Sequence, residues 1–172
     1  MKSPVEAAPA GGAAKANIAV AVDNEEIRSE TWGGSGGIPF SDDNIPSGSS
    51  LKSLNLRHGS FVDYLQADYT TEDGTTISMP GHGGDGGAVD SFVLEPGEYL
   101  TGIRGRCGQF VNSITFLTNR RKSGVYGGAQ RGPNHFEYTA PEGFEIIGFW
   151  GGSAKYVDRI GVIVRHRQEA GR

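Results

Sequence analysis

Three short segments of this 172-residue chain end a tight turn on a carboxylate or an amide. They are Gly59-Ser-Phe-Val-Asp63, Gly108-Gln-Phe-Val-Asn112 and Ala154-Lys-Tyr-Val-Asp158. The shared pattern is a small residue, any residue, an aromatic, Val, then Asp or Asn. Leu65, Ile114 or Ile160 follows two residues later. Such a turn offers successive backbone N–H donors and one acceptor within a few ångströms. A carboxylate that accepts from two hydroxyls makes charge-assisted hydrogen bonds, about twice as strong as neutral ones. A second element interleaves with the first. Gly33-Gly-Ser-Gly-Gly37 is echoed by Gly83-Gly-Asp-Gly-Gly87 and, more loosely, by Gly127-Gly-Ala-Gln-Arg-Gly132. Backbone without Cβ atoms approaches a ligand closely and adopts positive φ. The aromatic of each Asp-type turn (Phe61, Phe110, Tyr156) is placed to lie against the C–H face of a ring. Together these groups suit a neutral, polyhydroxylated ligand.

A single glycine-rich turn is usually only a turn, and an Asp that ends one is often a local cap. The repetition argues for more. The Asp-type turns are spaced 49 and 46 residues apart and the glycine loops 50 and 44. Each glycine loop precedes a phenylalanine: Phe40, Phe92 or Phe136. Two unrelated patterns thus recur three times at one period, which is the signature of a repeat architecture. The chain reads as three units of about four strands, each with one glycine loop and one Asp-type loop.

The elements that must hold these loops are strands. Leu54 and Leu56 alternate with Asn55 and Arg57. Leu65, Ala67 and Tyr69 alternate with Gln66 and Asp68. Ile160, Val162 and Val164 alternate with Arg159, Gly161 and Arg165. Each is a period-2 pattern with one buried face. Asp73-Gly74 is a hairpin signal. No stretch of helix length carries a 3.6-residue period. The composition agrees: 28 glycines and 8 prolines, without a collagen period, accompany 8 Phe, 6 Tyr and 2 Trp. Disordered chains are poor in aromatics, so the glycines serve turns in an all-β fold. Residues 1–30 read as a flexible leader or linker with one short strand at 18–22, residues 31–167 as the folded domain, and residues 168–172 as a tail.

Composition also excludes functions. Sixteen Lys and Arg against twenty Asp and Glu give a net charge of −4. That argues against a nucleic-acid surface or docking on anionic lipid. A lone cysteine, Cys107, permits no intrachain disulfide, and the default for it is a buried thiol. Arg104 and Arg106 beside it would favour a thiolate. His58, His82, His135 and His166 lack metal-ligand spacing, so no metal and no cofactor is expected; loop histidines are expected to be solvated. The run 120–122 reads as a solvated hairpin face. No apolar run spans a membrane, and no signal-peptide pattern opens the chain, which points to a cytoplasmic or non-classically exported protein. No nucleophile, P-loop or zinc-protease motif occurs, and the Asp turns fall in separate units rather than pairing as acid and nucleophile. No enzyme is expected.

The segments WGGSGGIPFSDD (32–43), SITFLTNRRKSGVYGG (113–128) and FEIIGFWGGSAKYVDRIGVIV (144–164), with the three Asp-type loops, resemble a jacalin-related lectin of the mannose-specific type. The likeness covers about residues 31–167. It implies the β-prism I fold: three four-stranded Greek-key sheets around a pseudo-threefold axis. It also implies a first carbohydrate site of Gly33, Gly34 and Gly36 or Gly37 with Ala154, Lys155, Tyr156 and Asp158. There Lys155 and Tyr156 would donate backbone N–H, and Asp158 would accept from sugar hydroxyls. Ala154 stands where the family has glycine, and its methyl strains the turn if the backbone needs glycine there. Some members use a second site, which here is Gly59, Ser60, Phe61 and Asp63 with Gly83, Gly84 and Gly87. A third would join Gly108, Gln109, Phe110 and Asn112 to Gly127 and Gly128. An amide for a carboxylate costs about 1–2 kcal/mol, roughly tenfold in affinity, so this third site is expected to be weak or empty. In galactose-specific members the chain is cut just before the glycine loop. Here Glu30-Thr31-Trp32 runs unbroken into Gly33, which resembles the mannose- and glucose-specific branch. The expected partners are mannose- or glucose-containing glycans and glycoproteins, and many relatives are homo-oligomers. The competing reading is a β-prism that docks proteins without binding sugar.

Overall fold

The computed structural model describes residues 26–167, and the strand expected at 18–22 lies outside them. Fourteen strands and no helix are found among the described residues. In chain order they are β1 (Glu26–Arg28), β2 (Trp32–Gly33), β3 (Ile38–Ser41), β4 (Ser50–His58), β5 (Val62–Thr70), β6 (Thr76–Ser78), β7 (His82–Gly83), β8 (Ala88–Val93), β9 (Leu100–Cys107), β10 (Val111–Thr118), β11 (Tyr126–Gly127), β12 (Asn134–Thr139), β13 (Phe144–Ser153) and β14 (Val157–His166).

The pairing repeats three times. The first unit has the order β3-β13-β14-β2, the second β8-β4-β5-β7 and the third β12-β9-β10-β11, all antiparallel. In each, a long central hairpin carries the Asp-type loop at its tip. The short flanking strands carry the glycine loop between them, which closes a Greek key. The first and third units touch through one bridge, Ile146 opposite Leu100, and β1 and β6 extend the first and second.

Alternation puts one face of every sheet inward. Leu54, Leu56, Leu65, Tyr69, Leu100, Ile103, Ile114, Ile146 and Ile160 are essentially without solvent contact. Phe116 of the third sheet lies 6.2 Å from Phe92 of the second and 6.2 Å from Phe149 of the first, so three sheets share one core. Buried Tyr69 donates to Ile147 O at 2.5 Å and ties the second sheet to the first. The Asp73-Gly74 turn forms as its sequence requires: Gly74 sits at φ +89 and its N–H donates to Thr71 O.

Three expectations change. The sheet reaches into the stretch read as a leader, because β1 pairs Glu26, Ile27 and Arg28 with Arg165, Val164 and Ile163. The edge of β14 has backbone groups to satisfy, and a polar segment with one Ile suffices. Phe92 is out of register with its counterparts. Phe40 opposes Gly151 and Phe136 opposes Gly105, whereas the matching position in the second unit is Asp90, opposite Leu56. Arg121 is not part of a merely solvated face. Its guanidinium bonds the buried carboxylate of Glu98 at 2.8 and 3.0 Å and covers the Phe92 ring at 4.7 Å. That pairing holds Glu98 well below the usual carboxylate range, at about 2.

Candidate functional site

At one end of the molecule each Asp-type turn closes by the same bond. Gly59 N donates to Phe61 O at 3.0 Å, Gly108 N to Phe110 O at 2.9 Å, and Ala154 N to Tyr156 O at 3.0 Å. None of the three takes positive φ, and a Cβ on Gly59 would meet nothing within 4 Å. The methyl of Ala154 is therefore accommodated without strain.

The glycine loops dock on these turns through equivalent contacts. Gly34 N donates to Asp158 O, Gly84 N to Asp63 O, and Gly128 N to Asn112 O, each at 2.9 Å. Gly37, Gly87 and Gly132 take φ of +81, +73 and +99. At Gly37 and Gly87 a Cβ would stand 2.5 and 2.8 Å from Oδ1 of Asp158 and Asp63; at Gly132 it would stand 2.6 Å from Oδ1 of Asn112. Glycine here keeps open the space over the acceptor. Gly36 and Gly86 do the same toward Oδ2 of Asp158 and Asp63, at 2.9 and 3.0 Å. The structure thus brings Gly33, Gly34, Gly36 and Gly37 to Asp158. It brings Gly83, Gly84, Gly86 and Gly87 to Asp63, and Gly127, Gly128 and Gly132 to Asn112.

The two carboxylates are unusually placed. Asp63 and Asp158 are only 6% and 5% exposed. Burial pushes both above the ordinary carboxylate value. Arg57, His58 and Lys155 partly offset this at Asp63, and Arg159 does so at Asp158. Oδ1 of Asp158 is buried and has no hydrogen-bond partner among the described residues. A buried acceptor left open is costly unless something fills it. Donors of a ligand held under the glycine loop would do so.

The aromatics of the turns do not face outward as ring platforms. Phe61, Phe110 and Tyr156 pack on one another, with centroids 5.2, 4.7 and 4.9 Å apart. Three copies of one position meet at the pseudo-threefold axis, so symmetry makes them a small core. The loops are interlocked as well. A Cβ on Gly34, Gly84 or Gly128 would collide with or crowd the carbonyl of Gln109, Lys155 or Ser60 in the neighbouring unit.

Sequence reasoning missed the arginines that steady the glycine loops. Arg57 Nε donates to Gly86 O at 2.9 Å and its Nη2 to Gly87 O at 3.2 Å. Arg106 Nη2 donates to Gly132 O at 2.9 Å, and its Nε to Arg131 O and Gly132 O, each at 3.2 Å. In the first unit the position matching Arg57 and Arg106 is Gly152. There Arg159 Nη1 reaches Gly36 O at 2.6 Å from the opposite strand. A Cβ on Gly152 would lie 2.5 Å from that guanidinium. Period-2 arginines next to the turns were the available signal.

His82 and His58 are not solvated loop residues. His82 is buried, stacked on Phe40 at 3.8 Å, with Nε2 2.7 Å from Asp42 Oδ1. His58 Nε2 lies 3.0 Å from Asp90 Oδ2, and its Nδ1 accepts from Gly127 N. That bond joins the second Asp-type turn to the third glycine loop. Cys107 is buried, and burial pushes its thiol up, so the nearby arginines do not make it a thiolate.

The jacalin-like lectin domain family matches residues 29–163. An agglutinin of Castanea crenata is 35% identical over 76% of this chain and 44% of its own length. Jacalin-related lectin 19 of Arabidopsis thaliana is 34% identical over 76% of this chain and 75% of its own. Among solved structures, a mannose-binding jacalin-related lectin from Ananas comosus is 31% identical with a TM-score of 0.73, covering 83% of this chain and 99% of that one. A mannose-specific relative from Morus nigra, solved with mannose, is 27% identical with a TM-score of 0.73, covering 83% and 96%. The chain therefore belongs to the jacalin-related lectins, a family of non-catalytic carbohydrate-binding proteins. It spans less than half the length of the agglutinin and smaller shares, 22% and 15%, of jacalin-related lectins 3 and 5 of Arabidopsis thaliana.

Proposed function

We propose that this domain binds mannose- or glucose-type glycans at two equivalent places, without catalysis. The observation that carries the reading is the pair of nearly buried aspartates under Cβ-free loops, with Oδ1 of Asp158 left without a partner. At the first site Asp158 accepts from two adjacent sugar hydroxyls, while the backbone N–H groups of Lys155 and Tyr156 donate to the same oxygens. Gly33, Gly34, Gly36 and Gly37 form the other wall. At the second site Asp63, Ser60 and Phe61 face Gly83, Gly84, Gly86 and Gly87 in the same roles. At the third, Asn112 keeps the acceptor geometry but loses the charge, which lowers affinity about tenfold.

Support for mannose comes from two sides. The neighbours in Ananas comosus and Morus nigra are described as mannose-binding and mannose-specific. The chain also runs continuously from Glu30 into Gly33, with Gly33 paired to Arg159 in the sheet. Two weak sites on one chain gain by avidity on branched glycans. A glycan array tests this reading, with methyl α-mannoside and methyl α-galactoside as competitors. Binding to mannose-terminated glycans, blocked by the mannoside alone, is expected. Galactose-type binding overturns the specificity, and no glycan binding at all leaves the protein-docking alternative.

A further inference from the structure

The third unit differs from the others in charge as well as in Asn112, and its outer face holds a groove that the neutral-sugar sites do not use. This open groove of about 440 Å³ starts at Ala129 and Gln130 of the third glycine loop and runs across the third sheet. Its wall and floor follow from register. On β9, Arg104 and Arg106 alternate outward; they stand opposite Thr115 and Ser113 of β10 and opposite Glu137 and His135 of β12.

Two features mark it as a place for a ligand. The first is a floor of free hydroxyls. Ser113 and Thr115 line the groove, and neither hydroxyl has a hydrogen-bond partner among the described residues, so both are open to a ligand. The second is uncompensated positive charge. Among the described residues, the lining arginines Arg104 and Arg106 form no ion pair, even though Glu137 stands opposite Arg104 in the sheet. Arg106 spends Nε and Nη2 on neutral carbonyls, and its Nη1 donates to His135 Nε2 at 3.2 Å. An imidazole that accepts at Nε2 keeps its proton on Nδ1, as a donor. Arg104 has no hydrogen-bond partner among the described residues.

We infer that this groove binds an anionic pyranose, one that carries a carboxylate or a sulfate ester. The guanidinium of Arg104 meets the anionic group with parallel N–H donors, a geometry that suits carboxylate and sulfate alike. The hydroxyls of Ser113 and Thr115 and Nδ1 of His135 supply further donors. Glu137, at the far side of Arg104, accepts from the ring hydroxyls. The choice of a sugar as the carrier rests on the lectin reading above.

The test is a backbone amide NMR titration of the full chain with four probes: methyl β-glucuronide, glucose 6-sulfate, methyl β-glucoside and methyl α-mannoside. The expected result is saturable shifts at Arg104, Arg106, Ser113, Thr115 and His135 with an anionic probe, and none with the neutral glucoside. These shifts should weaken with salt, persist in the Asp63→Asn/Asp158→Asn variant, and lose at least tenfold in affinity in Arg104→Gln. Which anionic probe binds tells carboxylate from sulfate. The spectrum of Arg104→Gln also reports its folding, and His135→Gln serves as a second variant with the same expected loss. The inference is overturned if neither anionic probe moves these amides, if the glucoside moves them equally, or if both variants bind as the parent does. Mannoside shifts at residues 33–37 and 83–87 report the lectin reading separately. Their absence would count against that reading, while loss of the glucuronide and sulfate response alone would count against this one.

Discussion

At the residue scale the account turns on Asp63 and Asp158. Both are acids whose charged form is penalised by burial, so both sit above the ordinary value of 3.8. Two consequences carry opposite signs. Protonation relieves the penalty, so in the empty protein these groups favour the fold more as pH falls through their raised values. Sugar hydroxyls donate to the ionised form, so affinity is full above those values and falls below them. A titration of methyl α-mannoside binding against pH is therefore expected to show affinity declining from a pH above that of an ordinary aspartate, with the fold intact. Affinity flat down to pH 4 would contradict this. These aspartates and their glycine loops were legible because the chain repeats them. Arg159 was not, because it does by a cross-strand reach over Gly152 what Arg57 and Arg106 do from their own strands. A pattern search follows sequence position, and guanidiniums meet carbonyls in space.

At the element scale, strand identity was readable wherever one face is buried. Leu54 and Leu56, or Leu65, Ala67 and Tyr69, report their alternation directly. It failed where a strand is defined by what it pairs with. β1 is three polar-flanked residues on the edge of β14, and β2, β7 and β11 are two-residue pieces that exist only because a central hairpin offers them backbone partners. The run 120–122 was misread for a related reason. Its partner Glu98 lies in a different hairpin segment and is fully buried, a fact no local window contains. Since Arg121 holds Glu98 at about 2, that carboxylate contributes stability above its ordinary value of 4.5 and loses it as pH falls from there toward 2. Arg121→Met is expected to lower the melting temperature at neutral pH and to shrink its decline between pH 4.5 and 2. Thermal unfolding followed by circular dichroism at several pH values checks both. An unchanged acid limb would contradict the assignment.

At the scale of the whole molecule, threefold repetition does two jobs. It places three loop pairs at one end of the prism, and it brings Phe61, Phe110 and Tyr156 together on the axis. The directional contacts between units follow the same rule. Trp32 stacks on Phe136 at 5.6 Å, His82 on Phe40 at 3.8 Å, and Tyr126 meets His58 edge-on at 5.4 Å, so each unit leans on the next around the ring. The period was visible in the sequence; the sharing of the aromatics was not, because one copy of the repeat cannot say whether its aromatic faces a ligand or its own two images. Removing one of them should therefore loosen all three loop pairs. Phe110→Ala is expected to cost about 2 kcal/mol of stability and to weaken mannoside binding although Phe110 belongs to neither aspartate site. Denaturant unfolding and a mannoside titration of the same variant check the two halves, and loss of stability with binding unchanged would show the loops to be independent. The central claim is tested most directly by isothermal titration calorimetry with methyl α-mannoside on the parent chain, on Asp158→Asn, and on Asp63→Asn/Asp158→Asn. The account predicts about two sites, then about one, then at most a weak residual signal, since all three loops then carry an amide as the Asn112 loop does. Heat and stoichiometry unchanged in the double variant, with all three proteins folded, would contradict it.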